Sequence, residues 1–218
     1  MPELVTIPIS LFDLVIDYEH PSFRILPDRG TILQGVFDSL NPWEPSIEDM
    51  EFVTNGKPSE QGIEMRLPKK GISFYFGPAL CRFRRENADW HSADETLSIL
   101  DTVVSSLVNL SGVKTGRQSA TFSMHVQPRN VSFVEILRPL VAEQLVALQA
   151  SPITTMAAVL KWKDRRVTLD GSGSLANGIF LRLERVFPSS ATYSEIAEQL
   201  RNDQTAVFDM LGIQEDQG

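Results

Sequence analysis

Leu80-Cys-Arg-Phe-Arg-Arg85 and Phe180-Leu-Arg-Leu-Glu-Arg185 resemble one another and stand one hundred residues apart, with no gap needed to align them. Both are strand-like runs, the first alternating Cys81 and Phe83 with Arg82 and Arg84. Both lead into a helix start, Ser92-Ala-Asp-Glu95 in one case and Thr192-Tyr-Ser-Glu195 in the other. In such a capping box the hydroxyl accepts from the backbone N–H three residues on, while the glutamate reaches back to the cap N–H. Arg82 aligns with Arg182, Arg85 with Arg185, Glu95 with Glu195, Leu100 with Leu200 and Gly112 with Gly212. The matched positions serve as strand, cap, core face and helix stop. A repeat of this kind bears on the whole architecture before any single element does. It predicts an internally duplicated unit, with residues 1–113 and 114–218 as the two halves of one pseudo-symmetric structure.

Outward from that stretch, the first half predicts strands at Leu11–Tyr18, Met50–Thr54, Ile63–Leu67, Ile72–Phe76 and Leu80–Arg84. Ile32, Leu33, Val36, Phe37 and Leu40 form one helical face. Lys69-Lys70-Gly71 and Gly77-Pro78 are turn signals. The helix after Ser92 carries Leu97, Leu100, Val103, Val104, Leu107 and Leu110, and Gly112 stands where a left-handed stop belongs. The second half repeats the order. Ala120–Val126 is a strand, and the box Ser132-Phe-Val-Glu135 opens a helix with Leu137, Leu140, Val141, Leu145 and Leu148. Further strands are expected at Thr154–Trp162, Arg166–Leu169 and Gly178–Phe187, with a turn at Asp170–Ser174. A last helix buries Tyr193, Ile196, Leu200, Val207, Phe208 and Leu211, and the acidic tail from Gln214 is expected to fray. Each half thus reads strand, helix, about three strands, helix. Strands and helices do not alternate one for one, so the fold class is α+β, an antiparallel sheet with helices packed on one face.

The chain has 218 residues, of which 42% are hydrophobic and 22% charged, an ordinary globular balance. Its net charge of −8 counts against nucleic-acid binding, which needs cations to displace counterions from phosphates. One cysteine allows no intrachain disulfide, the start has no secretory pattern, and no apolar run is long enough for a membrane span. These features predict a cytoplasmic protein without membrane contact.

The element order resembles that of TATA-box-binding proteins and of helix-grip and SecB-like folds. A second resemblance rests on Gly71-Ile-Ser-Phe-Tyr-Phe-Gly-Pro78, Trp90, the helix to Gly112 and the strand ending at Gln127-Pro128. That texture is similar to an uncharacterised bacterial family of sporadic distribution and covers about the middle third of the chain. Ser123-Met-His-Val126 stands where that family has an arginine-tyrosine-asparagine strand. The family brings no activity and no catalytic residue.

No constellation in the sequence carries chemistry. His20, His91 and His125 have no metal-ligand spacing, so neither metal nor cofactor is expected. Strand alternation puts Cys81 on the face opposite Arg82 and Arg84, which predicts a buried, inert thiol. Asp170-Gly-Ser-Gly-Ser174 lacks the following helix of a phosphate loop. Asp13, Asp17 and Glu19 share one strand face and read as its wet side or as an acid–base or cation site.

The best candidate is cationic. Arg82, Arg84 and Arg182, with Lys161 and Lys163, are placed to line an anion or acidic-partner groove about a pseudo-two-fold axis. The competing reading is a solvated face of cross-strand ion pairs. The expected function is therefore a non-enzymatic binding or adaptor protein that offers a sheet face or cleft to a protein partner or to a second copy. A small-molecule pocket between long helix and curved sheet, put to binding or to enzymatic use, is the alternative, and nucleic-acid binding on the sheet face ranks third.

Overall fold

The computed structural model describes residues 2–90, 92–140 and 157–216. Its strands are β1 (Glu3–Tyr18), β2 (Met50–Val53), β3 (Gly62–Leu67), β4 (Ile72–Phe76), β5 (Leu80–Glu86), β6 (Thr115–Pro128), β7 (Ala158–Lys161), β8 (Arg165–Gly171), β9 (Ile179–Phe187) and β10 (Ile213–Glu215). Its α-helices are α1 (Arg29–Ser39), α2 (Ala93–Ser111), α3 (Phe133–Leu137) and α4 (Tyr193–Leu211). The fold is mixed α+β with a ten-stranded, predominantly antiparallel sheet, as the strand-rich order predicts. None of the described helices is long and apolar enough to cross a membrane.

The chain forms two compact units. The larger comprises Leu11–Ala120 and Val186–Ala197, the smaller Met1–Ser10, Thr121–Arg185 and Glu198–Gly218. Each unit takes chain from both halves of the repeat, so compactness and the expected repeat boundary at 113/114 run along different lines. An internal duplication is not shown by the fold. What the repeated positions share is local geometry: Gly112 and Gly212 both close a long helix in the left-handed region, with φ of +67° and +66°.

In the larger unit the strand order is β2-β3-β4-β5-β1-β6. Period-two alternation turns Phe12, Leu14 and Ile16, Ile63 and Met65, Ile72, Phe74 and Phe76, and Cys81 and Phe83 to one buried face. Phe83 contacts Phe12 and Phe74, with ring centroids 5.8 and 5.1 Å apart. Ile32 and Val36 of α1, and Ile99, Leu100, Val103 and Leu107 of α2, are buried as well. Leu110, expected on the core face of α2, is 43% exposed, with its side chain lying over Gly35 of α1.

Arg85 also points to the buried side. It donates through Nη1 to Thr96 Oγ1 and through Nη2 to Ser92 Oγ at 3.0 Å. This explains one failed expectation. Ser92 makes no capping bond to its own helix; the Arg85 cation takes its hydroxyl, while its backbone N–H donates to Asp89 at 2.7 Å. Glu95 is drawn to Lys70, 2.6 Å away. The boxes at Ser132 and Thr192 do form, each with the reciprocal pair of bonds.

In the smaller unit β6, β9, β8 and β7 are successive neighbours. Met124, Val126, Val167, Leu169, Leu181 and Leu183 are buried, as are Leu200, Val207, Phe208 and Leu211 of α4. The helix expected after Ser132 is described only as α3 and a 3-10 turn at Arg138–Leu140. Val141, Leu145 and Leu148 lie outside the described residues, as do 154–156 of the predicted strand.

The tail corrects the expectation of fraying. Ile213–Glu215 pairs in parallel with Glu3–Val5, and the Asp216 N–H donates to the Val5 carbonyl at 2.8 Å. β1 is accordingly longer than Leu11–Tyr18. Its first residues supply the edge that captures the tail.

Candidate functional site

A concavity of about 460 Å³ lies on the wet face of the larger unit's sheet. Val15, Glu64, Ser73, Tyr75, Leu80, Arg82 and Arg84 line it. The ladder registers explain the gathering. Across β4–β5, Ser73 faces Arg84 and Tyr75 faces Arg82; across β3–β4, Glu64 faces Tyr75; across β1–β5, Val15 faces Arg82 and Asp13 faces Arg84. Alternate residues of four neighbouring strands therefore emerge on one side, opposite the aromatic core.

Asp13 organises the cations. Its carboxylate accepts from Arg82 Nε at 2.8 and 3.1 Å, from an Arg82 terminal nitrogen, and from Arg84 Nη2 at 3.3 Å. These bonds favour the charged guanidinium and raise the Arg82 pKa. Glu64 is engaged by Arg66 at 2.7 Å. The Tyr75 hydroxyl donates to the Glu60 and Gln61 carbonyls, 3.0 and 3.2 Å away, which fixes the ring at the rim. Desolvation, with the nearby Glu60 charge, pushes the Tyr75 pKa up and keeps it a phenol.

Of the cations singled out in the sequence, Arg82 and Arg84 meet here. Arg182, Lys161 and Lys163 belong to the smaller unit and are not among the residues lining this concavity. Arg182 donates to Glu184 at 3.0 Å, and Arg166 approaches the same glutamate at 3.7 Å. Lys161 faces Arg166 across β7–β8, and Lys163 is exposed in the turn after β7. That face is the ion-paired, solvated one of the competing reading.

Sequence reasoning missed Ser73, Tyr75, Val15 and Leu80. The signal for two of them was present, because a hairpin centred on Gly77-Pro78 sets Ser73 opposite Arg84 and Tyr75 opposite Arg82.

Other candidates resolve into structural roles. Burial pushes the Cys81 pKa up to about 12, so the thiol stays protonated. His125 Nδ1 lies 2.7 Å from Ser172 Oγ, and its ring packs on Phe180. Ser172 Oγ also accepts from the Ser174 and Leu175 N–H groups, which ties down the Asp170–Ser174 turn. His91 lies outside the described residues. Among the described residues no three His, Cys, Asp or Glu side chains are grouped to hold a metal ion.

No protein-family model matches this chain. No curated protein matches it either. Among solved structures it is similar, at 14% identity and a TM-score of 0.21, to the PH1819 protein from Pyrococcus horikoshii OT3, over 95% of this chain and 79% of that one.

Proposed function

We propose that this protein is a non-enzymatic binding module that offers the wet face of strands β3-β4-β5-β1 to a protein partner. The concavity of about 460 Å³ on that face carries the reading. Apolar Val15 and Leu80 sit there beside Arg82, Arg84, Ser73 and Tyr75, a mixed lining suited to a side chain or short segment from another molecule. A second copy of the chain is one form that such a partner can take. A cytoplasmic setting is part of the proposal, supported by a single buried thiol that needs no oxidising compartment.

Affinity capture from cells that express the tagged protein tests the reading, comparing wild type with Leu80→Glu. Loss of a specific partner, with thermal unfolding unchanged, is the expected result. Equal capture by both proteins overturns it. A small molecule on the same face is the second reading, favoured by a volume within the usual range for ligand pockets. Native mass spectrometry showing a retained mass of a few hundred daltons would put that ligand in place of the protein partner.

A further inference from the structure

Within this face, we infer that Arg84 and Ser73, with the Val15–Leu80 patch, form a subsite for a carboxylate carried on an apolar stem. The inference rests on the face being a binding surface and adds what that surface recognises. The two arginines are not equivalent. Arg82 is committed to Asp13 through Nε and a terminal nitrogen. Arg84 touches the same carboxylate through one 3.3 Å contact, and its Nε is buried with no acceptor among the described residues. Ser73, directly across the ladder, has no side-chain hydrogen-bond partner among them either.

The Arg84 side chain is 40% exposed and, among the described residues, only its Nη2 is engaged, by the one long contact to Asp13, so its terminal edge is open to an incoming acceptor. A planar carboxylate matches the guanidinium fork of Arg84, and the Ser73 hydroxyl is placed to donate to it as well. Asp13 is shared unequally by the two arginines, Glu64 is held by Arg66, and Asp17 and Glu51 stand opposite Leu80 and Glu64 on the same face, so recognition rests on hydrogen bonding to Arg84 and Ser73 rather than on a surplus of positive charge. Val15 and Leu80 offer the stem an apolar bed, and the Tyr75 ring forms a wall. In the smaller unit the position aligned with Arg84 is Glu184, which reverses the charge. The expected stoichiometry is therefore one site per chain.

The test is NMR of the full 15N-labelled chain, tracking the arginine Nε–Hε signals. The probes are acetate, 4-methylpentanoate, chloride, and an acetylated, amidated peptide of sequence Leu-Glu-Leu-Glu-Leu. The Arg84 signal is expected to shift saturably with 4-methylpentanoate, with a Kd on the order of millimolar. Acetate should bind more weakly, since it has no stem to bury. Chloride should have no effect, and the Arg182 signal should not move with any probe. Arg84→Gln, with its fold checked by spectral dispersion, should weaken binding about tenfold or more. Tighter binding of the peptide than of the free acid assigns the carboxylate to a protein side chain; the reverse order assigns it to a small acid. Both orders support the subsite. Absence of a saturable carboxylate shift, or an equal shift with chloride, overturns it and leaves the Leu80→Glu capture result standing. Carboxylate binding together with failed capture keeps the subsite and removes the protein partner.

Discussion

Asp13 faces Arg84 across the β1–β5 ladder, yet its main bonds run to Arg82, two residues along the neighbouring strand. The carboxylate is 13% exposed, whereas Arg82 and Arg84 are 43% and 40% exposed. One shielded anion thus holds two half-open cations at the edge of the concavity. Asp13→Asn should leave those guanidinium groups facing one another without a counter-charge. The expected loss of stability is about 1–2 kcal/mol, already discounted for solvent screening of the arginines. Urea unfolding measures it. The double variant Asp13→Asn/Arg82→Gln should recover part of the loss, and a strictly additive result would show that the groups are not coupled.

Arg85 supplies a second prediction. It is 9% exposed, and its guanidinium bonds to Thr96 and Ser92. Removing an acceptor from a buried cation costs more than replacing the cation by an apolar side chain of similar length. Thr96→Val, which keeps shape but removes the acceptor, should cost about 1–3 kcal/mol in denaturant unfolding. Arg85→Met should cost less than Arg85→Ala, because it refills the space. Ser92→Ala should act through Arg85. Its loss should therefore shrink when measured in the Arg85→Met background.

Arg82 and Arg85 also separate the parts of the fold that sequence alone reveals from those it hides. Strand alternation places Arg82 and Arg84 together, and Cys81 and Phe83 behind them, because period two is written in adjacent residues. The same alternation puts Arg85 among the buried residues, but a cation there gives no signal of its partners. Its claim on Ser92 displaces a capping box that local sequence fully supports. Asp13 lies 69 residues from Arg82 in the chain, so their pairing depends on strand order and register rather than on local pattern. The tail departs from expectation for a similar reason. Three residues carry little strand signal, and Ile213 is ordered by the distant edge of Glu3–Val5. The wet face is legible in the sequence, while the unequal sharing of Asp13 between Arg82 and Arg84 is not.

The Thr192 capping box predicts a pH dependence. Glu195 accepts from the Thr192 backbone N–H at 2.7 Å and also meets its hydroxyl at 3.0 Å. The backbone bond is the main cause that lowers its pKa below the usual 4.5. A carboxylate with a depressed folded-state pKa stabilises the fold fully above its unfolded value and loses that effect as pH falls through the folded one. Glu195→Gln removes the titration and keeps an acceptor. Wild type should therefore exceed Glu195→Gln in Tm near neutrality, and the gap should close as pH falls below about 4.5. Thermal unfolding across that range checks it, and a constant gap would assign the difference to something other than this carboxylate.

Gly112 and Gly212 give the most direct comparison of the two aligned segments. Both sit at positive φ after a 19-residue helix, and a Cβ added at either would meet nothing within 4 Å. Alanine there is penalised by backbone conformation and by no clash. The expected cost is about 1 kcal/mol at each site, with asparagine recovering part because it tolerates the left-handed region better. Gly212 has a further duty: its carbonyl accepts from the Glu3 N–H at 2.9 Å, next to the β10–β1 pairing. Gly212→Ala should therefore cost at least as much as Gly112→Ala. It should also speed hydrogen exchange at the Glu3 and Asp216 amides, which Gly112→Ala should leave protected. A silent Gly212→Ala would mean that the β10–β1 pairing, rather than the residue aligned with Gly112, sets the end of α4.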